Sequence, residues 1–90
     1  MIVEEEGISY PAYRFRRFET YGGLSYQVEW APDVEGWLAG SSYSPGFEVP
    51  ANAITTEVSR SGSDPQEIVV RSTVPLSDLP SQFFRLRINR

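Results

Sequence analysis

Asp33 and Glu35, one residue apart between Pro32 and Gly36, are the first place to look for chemistry in this sequence. Two carboxylates held about 5–9 Å apart across a cleft are the minimum a glycosidase needs. The same pair, joined by Asp64 or by backbone carbonyls, is a candidate Ca²⁺ site. Ca²⁺ takes about six to eight oxygen ligands, and a single D-x-E in a turn supplies far fewer. Neither chemistry has its full set of groups, so the two residues are expected to serve a turn, and no catalytic or metal-binding residue is assigned.

Flat rings offer a second chemistry, because they stack on pyranose faces. Trp30 and Trp37, with Tyr21, Tyr26 and Tyr43, are the rings to consider. Trp30 lies in phase with Leu24, Tyr26 and Val28, which marks it as a core residue, where an aromatic side chain buries roughly 150–250 Å². Trp37 and Tyr43 remain as candidate ligand-binding residues. Tyr43 is the better placed, because Gly40-Ser41-Ser42-Tyr43-Ser44-Pro45-Gly46 has the composition of an exposed loop; packing on the core is the competing role for both rings. A third candidate is a stripe of Arg14, Arg16, Arg85 and Arg87, whose guanidinium forks match carboxylate and sulfate. Cross-strand pairing with Glu29, Glu57 or Glu67 is the favoured reading for these arginines.

What is missing narrows the field further. The 90 residues include no Cys, no His and no Lys, so all eight basic residues are Arg. A thiol nucleophile, a Ser-His-Asp triad, a structural zinc site, a Schiff base and a lysine-bearing phosphate loop are therefore all unavailable to this chain's own side chains. No cofactor is expected. A net charge of −4 argues against nucleic acid as a partner, since that binding depends on neutralising phosphates. No run approaches the roughly 20 apolar residues that span a bilayer, so no membrane span is expected.

The elements that must carry these residues read as strands. Leu24, Tyr26, Val28 and Trp30 alternate with Ser25, Gln27 and Glu29, and Phe84-Arg85-Leu86-Arg87-Ile88 repeats the pattern. Successive strand side chains face opposite ways, so each run has one packed face. Met1–Gly7, with Glu4-Glu5-Glu6, reads as a frayed leader or a short edge strand. Ile8–Thr20 is a long strand whose imperfect alternation predicts a bulge or a change of neighbours. Gly22-Gly23 predicts a hairpin joining it to the Leu24 strand. Trp37–Ala39 and Phe47–Val49 are short strands, and Ile54–Ser59 with Glu67–Arg71 forms a second hairpin. Pro75 and Pro80 keep Val74–Gln82 irregular, with room for one helical turn at Leu76–Leu79. Short strands separated by Gly, Pro and Ser clusters predict one all-β domain, a small antiparallel β-sandwich of about six or seven strands whose order is left open.

Tyr26-x-Val28-x-Trp30, Trp37 and the closing Leu79-Pro80-Ser81-Gln82-Phe83-Phe84-Arg85-Leu86-Arg87-Ile88-Asn89 resemble a fibronectin type III-like or immunoglobulin-like module. With Phe15-Arg16-Arg17 they are also similar to small sandwich modules at the C-termini of large secreted bacterial proteins. The chain departs from the type III pattern where Phe83 or Phe84 replaces the corner tyrosine. A type III module carries one more strand beyond this one, so the closing strand is expected to leave an edge exposed. The resemblance implies a non-catalytic accessory module, residues 1–90, of a larger extracellular or cell-surface protein. Its role would be spacing, adhesion or docking, with other domains of the parent, another protein or a polysaccharide surface as partners. The alternative is a carbohydrate-binding module using Trp37 and Tyr43.

Overall fold

Sheet pairing, more than any single strand, organises this molecule. A computed structural model describes residues 1–18 and 23–90. Among these residues there are eight strands and no helix: β1 (Ile2–Glu5), β2 (Ile8–Arg17), β3 (Ser25–Ala31), β4 (Leu38–Ser44), β5 (Phe47–Val49), β6 (Thr55–Ser61), β7 (Gln66–Ser72) and β8 (Phe83–Asn89). They form two antiparallel four-stranded sheets, ordered β1-β2-β7-β6 and β5-β4-β3-β8. The fold is an all-β, sandwich-like domain, with one strand more than the expected upper count.

Alternation explains what lies between the sheets. Phe15 of β2, Tyr26 and Val28 of β3, Tyr43 of β4, and Ile68 and Val70 of β7 form the buried centre. Tyr13, Leu24, Phe84 and Leu86 pack around it. The rings make a ladder across the gap: Tyr13 stacks on Phe84 with centroids 5.7 Å apart, and Phe15 lies 6.3 Å from Tyr26 and 5.7 Å from Tyr43. Trp30, also buried, continues the β3 series.

Several expectations hold. The leader is a short edge strand, β1, paired with β2. The broken alternation of β2 reflects a change of neighbours, since Ile8–Pro11 pair with β1 and Ala12–Arg17 with β7. The β6–β7 hairpin forms, and Gly62 in its loop is required: its φ is +75°, and a Cβ there would lie 3.1 Å from the Pro65 carbonyl oxygen. Within Val74–Gln82 the Asp78 and Leu79 amides both donate to the Pro75 carbonyl, which closes a single turn.

Two expectations fail. The Gly22-Gly23 hairpin does not exist as a pairing: residues 19–22 lie outside the described residues, but β2 and β3 belong to different sheets and do not pair with each other. The supposed loop at Gly40–Gly46 is mostly strand, because β4 runs through Ser44 and pairs with both β3 and β5. Glycine is needed there for contact, since a Cβ on Gly40 would sit 2.4 Å from the Thr55 hydroxyl oxygen. Ser41 has its own bonds: its amide and hydroxyl both meet the Thr55 hydroxyl, and the hydroxyl reaches the Pro50 carbonyl. Small, polar residues thus mark where β4 and β6 come closest, rather than a loop.

Candidate functional site

Tyr43 is fully buried, which corrects its expected exposure. Its strand alternation directs the ring inward, between the sheets. Trp37 is half-buried just before β4 and in phase with Ala39, whose register partner Glu29 lies on the opposite side of β3 from Val28 and Trp30. The two rings therefore lie on different faces and form no common platform. One face of Trp37 is also occupied, by the Arg85 guanidinium 4.2 Å from the ring centroid, while its indole N–H donates to the Val34 carbonyl.

The Asp33 carboxylate is similarly committed. Asp33 Oδ1 accepts the amides of Glu35 and Gly36 at 2.9 and 3.0 Å, and these bonds hold its pKa below the usual carboxylate value. Asp33 is thus a turn-forming residue. Among the described residues no three acidic groups gather as metal ligands would.

A different set of charges is brought together by the fold. A register shift between Glu57 and Ser59 makes a bulge in β6 that places Glu57 and Arg60 on the same inward side, register partners of Val70 and Ile68. β5 turns Glu48 to that side as partner of Tyr43. Arg17 pairs with Glu48, Arg60 bridges Glu48 and Glu57, and the Tyr43 hydroxyl donates to Glu57 at 2.8 Å. Arg17 and Arg60 each lie 5.7 Å from the centroid of the Tyr43 ring. This network closes the edge of the sandwich between β5 and β6.

Its electrostatics suit structure better than proton transfer. Burial, reinforced by the hydrogen bond to Glu57, pushes the Tyr43 phenol far above its ordinary pKa. Burial also works against ionisation of Glu48 and Glu57, but bonds from Arg17 and Arg60 to Glu48, and from Arg60 and Tyr43 to Glu57, prevail and lower both. All three pKa values are driven away from neutral pH, Tyr43 upward and Glu48 and Glu57 downward, whereas an acid–base catalyst works best with a pKa near its operating pH.

The expected arginine stripe divides between the two faces. Arg14 and Arg16 lie on the outer face of the first sheet, and Arg85 and Arg87 on that of the second, so they cannot hold one anion together. Arg85 pairs with Glu29 at 2.7 Å, as its register predicts. Glu57 pairs instead with Arg60. Among the described residues, Arg87 makes no ion pair. No local pattern signals the Arg17–Glu48–Arg60–Glu57 set, because the bulge and the β4–β5 pairing that assemble it are tertiary.

β8 is the remaining feature. It pairs with β3 from Phe83–Ala31 to Asn89–Ser25, and no described strand lies on its other side. Phe83 is 40% and Ile88 52% exposed. The chain matches no family model, no curated protein and no solved structure.

Proposed function

We propose that this domain is a non-catalytic interaction module of fibronectin type III-like or immunoglobulin-like type, a spacer and docking unit within a larger secreted or cell-surface protein. The observation that carries this reading is the open edge of β8, seven residues long and flanked by exposed apolar side chains. Edge strands present unpaired N–H and C=O groups, which are a template for another chain.

Strand order supports the sandwich type. With β1, β2, β6 and β7 taken as A, B, D and E, the first sheet runs A-B-E-D, the arrangement of a constant-type immunoglobulin sheet. β3 and β8 then take the neighbouring C and F places opposite it. The commitment of Asp33, Glu48, Glu57 and Tyr43 to internal bonds supports a role without catalysis.

Photo-crosslinking in the full-length polypeptide within its native cells tests this reading. A benzophenone amino acid at Phe83 is expected to give a discrete adduct with another polypeptide or another domain, and none at Val58 on β6. Equal labelling from both positions, or no adduct from Phe83, overturns the proposal.

A further inference from the structure

We infer that the free edge of β8 accepts a strand from another polypeptide, and that this strand alternates acidic with apolar residues. The inference rests on the interaction-module reading and deepens it by giving the partner's chemistry. Backbone geometry sets the shape of the ligand: an edge strand's outward N–H and C=O groups are satisfied by one more extended segment.

The incomplete burial of β8 sets the inward side of that segment. Tyr13 of β2 stacks on Phe84, so the Tyr13 end of β2 lies over the start of β8, and β1, paired with Ile8–Pro11, flanks that end. Ile2 of β1 is the register partner of Pro11, on the inward side with Tyr13 and Phe15, and is 63% exposed. Along the inward side of β8 itself, Phe84 and Leu86 are only half-buried and Ile88 is exposed. The opposite edge offers no such apolar surface on its inward side, because there Glu48 of β5 is tied to Arg17 and Arg60. An incoming strand therefore meets apolar surface on its inward side.

Charge sets the other side. The outer face of β8 presents Phe83, Arg85 and Arg87; Arg85 has Glu29, while Arg87 has no ion pair among the described residues. A second copy docking through its own β8, antiparallel and centred on Leu86, would set Arg85 opposite Arg87 twice. Directly opposed like charges are destabilising, which disfavours self-pairing. Acidic side chains at alternate positions complement both arginines.

The test uses the isotope-labelled chain with two soluble capped peptides of about nine residues, one alternating Val with Glu and the other Val with Lys, at low ionic strength. The Val-Glu peptide is expected to shift the amide resonances of Phe83–Asn89, slow their hydrogen exchange and move the Ile2 methyl signals, leaving Phe47–Val49 unchanged. Arg87→Glu, an exposed change, is expected to weaken that peptide by about 2- to 30-fold and to favour the Val-Lys peptide. The inference is overturned by equal binding of both peptides, by no shifts with either, or by shifts centred elsewhere. It is equally overturned if the β8 amides that point away from β3 are already protected in the monomer, or become protected through concentration-dependent dimerisation. An adduct at Phe83 together with a silent Val-Glu peptide would remove the acidic strand and leave the interaction module standing; binding without an adduct would do the reverse.

Discussion

Gly40 of β4 and Thr55 of β6 touch so closely that a Cβ on the glycine would lie 2.4 Å from the threonine Oγ1 and 2.8 Å from its Cγ2. Thr55 cannot simply turn aside, because its hydroxyl meets both the Ser41 amide and the Ser41 hydroxyl, and Thr55 and Ser41 are both fully buried. Gly40→Ala is therefore expected to destabilise the fold by about 1–3 kcal/mol, the usual range for overpacking. Chemical denaturation should show a lower midpoint with an unchanged slope. Thr55→Ala in the same background removes the two closest atoms and leaves only its Cβ, at 3.2 Å, so the double variant should lose less than the two single losses added together. Full additivity would show that the contact is not what limits this position.

Removing the Thr55 hydroxyl while keeping its shape separates bonding from packing. Thr55→Val leaves the Ser41 amide without its acceptor and the Ser41 hydroxyl with the Pro50 carbonyl alone. A buried donor left unpaired costs about 1–3 kcal/mol, so this variant should be destabilised by an amount in that range. An unchanged denaturation midpoint would show that the bonds between β4 and β6 contribute nothing net.

The Tyr43 network predicts stability that falls at both ends of the pH scale. Below its ordinary pKa of 10.0 the phenol keeps its proton in both folded and unfolded chains, and its contribution is intact. Above pH 10 the unfolded chain releases that proton while the folded chain holds it, so stability declines as pH rises. Glu48 and Glu57 act in the opposite sense, because their folded pKa values lie below the ordinary 4.5. Their contribution is present above about pH 4.5 and is lost as pH falls further and the unfolded chain takes up protons first. Melting temperature against pH should give a plateau with two declining limbs. Tyr43→Phe should lower the plateau by about 0.5–1.5 kcal/mol and reduce the alkaline decline.

Legibility in the sequence followed how local each signal was. Leu24–Trp30 and Phe84–Ile88 were readable because a period of two along one segment fixes which side chains are buried, whichever strands lie beside it. β4 was misread because Gly40 and Ser41 carry the composition of a loop, while their actual role depends on Thr55 fourteen or fifteen residues away. The same limit hid the charged edge. Glu57 and Arg60 share a side only because β6 is bulged, and no local pattern reports a bulge whose partner is β7. The companion of Trp37 is equally illegible locally, since Arg85 lies on the other side of β3 from β4 and arrives there through sheet order.

Gln82 binds the irregular Val74–Gln82 crossing to the buried end of β3, and its loss should be felt in both places. Its Oε1 accepts the Trp30 indole N–H at 2.8 Å, and its Nε2 donates to the carbonyls of Val74 and Leu79 at 3.0 and 2.8 Å. Gln82→Ala leaves the indole N–H of a buried Trp and two partly enclosed carbonyls without partners, at an expected cost of about 1–3 kcal/mol. The near-ultraviolet circular dichroism band of Trp30 should weaken even where the domain stays folded. Gln82→Glu provides a sharper comparison. The carboxylate can still accept the indole N–H but faces the Val74 and Leu79 carbonyls with no donor, until protonation restores one. Relative to the parent chain measured at the same pH, the deficit of Gln82→Glu should therefore shrink on acidification, whereas that of Gln82→Ala should not. A pH-independent deficit for both would show that the two carbonyls find water, and that the indole bond alone makes Gln82 matter.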